Sequence, residues 1–161
     1  MSDPGAALEQ FAEYFDIMLA DLSPAKRKAV ARKIGQRLRR SNLARIAANI
    51  EPDGGAMEAR KPQRDRRGRI RKKAGGKMFR KLRYARNFKI KPRDDGVEIA
   101  LASRGLERLS RVHHFGLTGY VGKTRAGETV RARYEARQLL GFSNDDIDGI
   151  AEEALAWLDR D

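Results

Sequence analysis

Leu8, Phe11, Phe15, Met18, Leu19 and Leu22 recur at helical spacing. This predicts an amphipathic helix of roughly four turns. The chain restarts at Ser23-Pro24, where serine can cap a helix and proline fits its first position. Val30, Ile34 and Leu38 then repeat every four, and the stripe continues with a shifted phase through Leu43, Ile46 and Ala47. "EPDGG" at 51–55 is turn material and ends the element. Two helices with almost no loop between them predict an antiparallel hairpin or a right-angle corner.

The period is then lost. Residues 56–76 contain "RKPQRDRRGRIRKKAGG", too charged and too poor in apolar residues to build a core, which predicts a flexible basic arm. Order returns with Met78, Phe79 and Leu82, a short helix. "NFKIKPRDDGVEIAL" at 87–101 alternates cleanly. Phe88 and Ile90 share one face, Val97, Ile99 and Leu101 share one face of the returning strand, and "PRDDG" turns the chain between them, which predicts a β-hairpin. Leu106, Leu109, Val112 and His113 mark a helix ending near Gly116. Residues 116–129, "GLTGYVGKTRAGET", read as a second, glycine-rich loop, with a short strand near Val130 to Tyr134. Ser143 before "NDD" forms a capping box with Asp146, and Ile147, Ile150, Ala151, Ala154 and Leu158 carry the last helix. The expected fold class is α+β: one small domain over 1–161 with an N-terminal helical pair, an antiparallel hairpin and a C-terminal helix. The arm at 56–76 and the loop at 116–129 are its two long irregular segments. No internal repeat is visible.

Composition sharpens this picture. The chain has 161 residues and no cysteine, so it suits one domain with a modest core and excludes thiolate metal sites, disulfides and cysteine nucleophiles. No apolar run approaches a membrane span, so no membrane partner is expected. "MSDPGAALEQ" is acidic and lacks an apolar core, which sets the expectation of no signal peptide and synthesis in the cytoplasm. The net charge is +13. Between Arg60 and Arg93 there are 17 lysines or arginines and one acid, Asp65. The basic character is therefore local, and it favours an anionic partner such as nucleic acid or an acidic protein surface.

His113 and His114 are the only histidines. Neighbours on a helix point about 100° apart and cannot easily share one metal ion, and the HExxH spacing of a helical zinc pair is absent. No serine sits in a GxSxG turn. The pairs Asp94–Asp95 and Asp145–Asp146 have structural uses, in a hairpin turn and in the first turn of a helix, where acids offset the dipole. "GYVGKT" at 119–124 lacks the spacing of a phosphate loop. The sequence therefore points to no catalytic residue, no metal and no cofactor. The histidines are expected to pack at a helix end with their ring nitrogens bonded to backbone or a partner chain. A dedicated nucleic-acid binder has charge in its favour, yet finger spacing, an aromatic RNP-like pair and an obvious reading helix are missing.

Several stretches, taken in order, carry a resemblance. They are "LSPAKRKAVARKIGQRLRRS" at 22–41, "PDGG" with "RK" at 52–61, "KMFRKLRYARNFK" at 77–89, "RVHHFGL" at 111–117 and "RYEARQLLGFSNDD" at 133–146. Spanning nearly the whole chain, they resemble the phage virion morphogenesis family, the tail completion proteins of contractile-tailed temperate phages and their prophage relatives. Two departures are visible. The family favours proline before "AR" in the last block, where this chain has Glu135, and "GLTGYVGK…GETV" replaces the family's usual "GLRDRV".

The resemblance implies a non-enzymatic structural protein, made in the host cytoplasm, that finishes the head-proximal end of a phage tail and helps head–tail joining. Such proteins typically form a homo-oligomeric ring, often of six copies, over the last tube ring. Partners would be further copies of the chain, tail tube and sheath proteins and head–tail connector proteins, with non-specific contact to DNA in the channel. A looser role as a transient, non-virion assembly factor is also compatible. The motif residues that carry over as fold and interface positions are Arg111, His113, Phe115 and Gly116, then Arg133, Tyr134, Ala136, Arg137, Leu139, Leu140, Gly141 and Phe142. In the arm, Arg60, Lys61, Arg64, Arg66, Arg67, Arg69, Arg71, Lys72 and Lys73 would line the channel or clasp a neighbour. Protein contact is the favoured of the two, because tightly held DNA would not slide.

Overall fold

The element that organises the molecule is α1, Pro24–Ala48. In the computed structural model, which describes residues 13, 17, 20, 22–59, 67, 69 and 78–158, the Ser23 hydroxyl accepts from the Lys26 N–H and Pro24 opens the helix. Asn49 stops it in the left-handed conformation (φ 57°, ψ 45°), its N–H reaching Arg45 and Ile46 oxygens. The buried stripe is Val30, Ile34, Leu38, Asn42 and Ile46, with Ala31 and Gly35 beside it. The stripe therefore keeps one phase throughout. The shift suggested by the apolar residues arises because the fourth position is polar: the Asn42 side chain donates to the Leu38 carbonyl and accepts from the Gly141 N–H, so its burial is compensated. The helix expected over 8–22, and hence its corner with α1, lies outside the described residues apart from isolated positions.

After α1 the chain doubles back through a tight turn in which Gly54 takes φ +90°. Ile50 bridges Ala56, the Met57 N–H donates to the Asn49 oxygen, and the Met57 side chain enters the core. Residues 56–59, expected as the start of a mobile arm, are thus fixed to the domain. The composition of the stretch concealed this, because Met57 is its only large apolar residue and its other anchors are backbone groups. The remainder of the predicted arm, 60–76, lies outside the described residues except for Arg67 and Arg69, both exposed.

The short helix expected around 78–82 is two 3-10 turns, Arg80–Arg83 and Ala85–Asn87, with Phe79 at φ 53° leading into the first. They deliver the chain to β1, Phe88–Pro92, which pairs antiparallel with β2, Val97–Leu101, in the register Phe88↔Leu101, Ile90↔Ile99 and Pro92↔Val97. That register puts the expected apolar residues on one face, against α1. Helix α2, Arg104–His114, follows, its first turn capped by the Ser103 hydroxyl. Gly116 at φ +61° lets the Leu117 N–H return to the Val112 oxygen and end the helix.

Residues 116–129 are not a loop. β3, Thr118–Lys123, pairs antiparallel with β4, Thr129–Arg133, through a bulge between Tyr120 and Gly122. Most of this second hairpin is exposed, so burial imposes no apolar alternation, and the bulge breaks what periodicity there is. β4 lies where a strand was expected. The chain closes with α3, Asn144–Leu158, which packs on α1 through Ile150 and Trp157. Two apolar clusters share the core. One gathers Ile46, Met57, Leu82, Phe88 and Leu139; the other gathers Leu22, Val30, Ile34 and Leu38. No described helix is long and apolar enough to cross a membrane.

Candidate functional site

The two late sequence motifs meet in one place, at the junction of α2, β4 and the strap 134–143. The strap has no regular structure, so its N–H groups need outside partners. Tyr134 N–H donates to the Leu117 oxygen, Arg137 N–H to the His113 oxygen (2.8 Å) and Gln138 N–H to a Glu51 carboxylate oxygen. Leu139 N–H donates to His114 Nδ1 (3.2 Å) and Gly141 N–H to Asn42 Oδ1 (3.0 Å). The strap is stitched across the ends of α2 and α1.

His113 and His114 thus serve this junction. The His113 ring lies edge-on between Phe79 (5.0 Å) and Tyr134 (4.6 Å), a favourable aromatic geometry. His114 accepts from the strap and packs edge-on against Phe115. Gly116 has no room for a side chain, since a Cβ there would stand 2.9 Å from the Ala136 nitrogen. Among the described residues, no three His, Asp or Glu side chains gather where they could hold a metal ion.

Arg137 is the charged centre of the junction, 5% exposed. Its Nε donates to the Glu58 oxygen (2.7 Å), one terminal nitrogen to the Glu135 oxygen (3.2 Å) and the other to the Ala59 oxygen (3.2 Å). A rigid guanidinium fork suits this, because three carbonyl dipoles at fixed directions compensate the buried charge. The arginine therefore clamps the last described residues before the basic segment at 60.

A second clamp ties the strap's far end to α1. Arg45 bonds Asp146, the Ser41 and Ser143 hydroxyls and the Gly141 oxygen. The Asp146 side chain is 3% exposed and also accepts from the Ser143 N–H, while the Ser143 hydroxyl accepts from the Asp146 N–H, the capping box read from the sequence. Burial raises the Asp146 pKa, but hydrogen bonds from the Ser143 N–H, Ser41, Arg45 and the Ser143 hydroxyl outweigh it and hold the carboxyl below its ordinary value. The sequence showed Asp146 as a cap; its partnership with Arg45, 101 residues earlier, had no local signal.

The motif residues divide by exposure. Leu139 is buried, His113, Gly116, Tyr134, Leu140 and Gly141 are half-buried, and Arg111, Arg133 and Ala136 are exposed. Phe115 and Phe142 are 63% and 54% exposed, large apolar side chains left facing water. Tyr120 and Val121 on β3 join them at 52% and 55%. This last pair falls in the segment expected as a loop, beside the short strand expected near Val130 to Tyr134. Of the nine basic positions singled out in the arm, only Arg67 and Arg69 fall within the described residues.

The site offers exposed aromatic and basic groups on a frame stitched by hydrogen bonds. "Tail completion protein S" of Escherichia phage P2 is 29% identical over 154 residues, covering 94% of this chain and 97% of that protein. No solved structure matches the chain. The model of the phage virion morphogenesis family matches residues 6–159, and the chain belongs to that family.

Proposed function

We propose that the protein is a structural tail-completion component of a phage virion, without catalytic activity, acting at the head-proximal end of the tail. The observation that carries this is the near end-to-end correspondence with a curated tail completion protein. A partial match would leave room for a different activity in the uncovered part. The surface supports the reading: Phe115 and Phe142 stand exposed on a frame held by two arginine clamps, one buried and one half-buried, as suits an assembly protein. It closes the tail as a ring of identical copies, meets tail tube and head–tail connector proteins, and is made in the host cytoplasm before incorporation into the tail.

The test is genetic complementation. Particles made without the protein should contain filled heads and separate, incomplete tails. Purified protein added to such an extract should restore joined, infectious particles. Normal joining in its absence contradicts the proposal. Restoration by a protein that never stays in the finished particle makes it a transient assembly factor instead.

A further inference from the structure

The β3–β4 hairpin has an outward face that its own domain does not use. Register places Tyr120 opposite Arg131, Thr118 opposite Arg133 and Lys123 opposite Thr129, so Tyr120, Lys123, Arg131 and Arg133 share one side. All four are exposed. The other side turns inward at Gly119, where a Cβ would meet Val112 and Tyr134 at 3.1 and 3.0 Å. None of the three cations forms an ion pair among the described residues.

The opposite chemistry appears elsewhere on the same chain. Asp145, Asp148, Glu152 and Leu155 recur at spacings of three and four along α3 and so line one face. All are exposed, Leu155 at 52%. Asp145 and Asp148 make no ion pair among the described residues, and Glu152 meets Arg37 only at 3.7 Å. One surface presents three cations and a tyrosine; the other presents three acids and a leucine.

We propose that the outward face of the β3–β4 hairpin of one copy docks on the acidic face of α3 in a second copy of this chain. The inference rests on the ring reading above and names its interface. Two different patches meeting head to tail make a heterologous contact, the kind that closes rings. Opposite charges fix the register and reject wrong pairings, and the two apolar side chains exclude water between them.

The chain has no cysteine, so Thr129→Cys offers a unique attachment point on the outward face for a benzophenone photo-crosslinker. Labelled full-length protein is irradiated both concentrated in solution and after incorporation into tails, and the adducts are mapped by mass spectrometry. Adducts are expected in residues 144–158 of another copy. Arg131→Glu with Arg133→Glu should lower their yield about tenfold or more, and adding Asp148→Arg with Glu152→Arg to the same chain should restore it. Circular dichroism of each variant establishes that the fold is retained, and a misfolded charge variant is replaced by Lys123→Glu. Multimers whose adducts map elsewhere overturn this interface and leave the ring reading standing. Adducts on an acidic surface of another tail protein overturn the second copy as occupant. A chain that stays monomeric in solution and single in tails overturns the ring reading and this proposal together.

Discussion

At the residue scale, two side chains carry predictions. Asp146 is ionised inside the fold because four hydrogen bonds outweigh its burial. Its folded pKa is depressed, so its contribution is complete above the ordinary aspartate value and fades as pH falls below about 4. Asp146→Asn should cost about 1–3 kcal/mol at neutral pH, because the half-buried Arg45 and the Ser143 N–H lose the carboxylate they bond. The same variant should flatten the acid limb of stability, and urea unfolding at pH 7 and pH 3 measures both effects. His113→Ala removes a ring held between Phe79 and Tyr134, at a cost of about 1–3 kcal/mol. Elemental analysis separates packing from metal binding: stoichiometric zinc, lost in His113→Ala, would contradict the packing role.

Among elements, what was legible followed burial. Val30, Ile34 and Leu38 announced α1, and Phe88, Ile90, Val97 and Ile99 announced the β1–β2 hairpin, because each set has one buried face. Ser143 and Asp146 announced the start of α3 because a capping box is local in sequence. The short helix expected from Met78, Phe79 and Leu82 is present as two 3-10 turns at 80–87, whereas strand β3 was not legible, since it repeats no buried face. The strap was recognised as a motif, yet its bonds to His113, His114 and Asn42 join residues far apart in sequence. Close approach between elements makes one further expectation. Gly35 lets α1 settle on the β1–β2 sheet, and a Cβ there would stand 2.6 Å from an Ile90 methyl and 2.7 Å from a Val97 methyl. Gly35→Val should therefore destabilise by about 1–3 kcal/mol, read as a lower denaturant midpoint. Arg137→Lys should release the stretch before residue 60, because an ammonium cannot span three fixed carbonyls. Faster amide exchange at Met57 and Ala59, with α1 unchanged, is the expected sign.

The whole molecule separates its charge. Residues 60–93 hold 17 basic residues and one acid, so that segment carries +16 and the remainder of a net +13 chain sums to −3. We propose that the basic segment 60–76 meets an anionic partner, since closely spaced like charges favour a surface of opposite charge. Reversing Arg66, Arg67 and Arg69 to glutamate distinguishes the partners. Failure to enter tails identifies an acidic protein surface, whereas capped tails that falter in head joining identify DNA.

The proposed role makes this chain a resident structural part of the tail's head-proximal end. Electron cryomicroscopy of purified virions tests it most directly, with the protein's copy number measured in the same particles by quantitative mass spectrometry. A closed ring of several copies between the last tube ring and the head connector is the expected result. Mature virions without the protein, or with a single copy per particle, would contradict it.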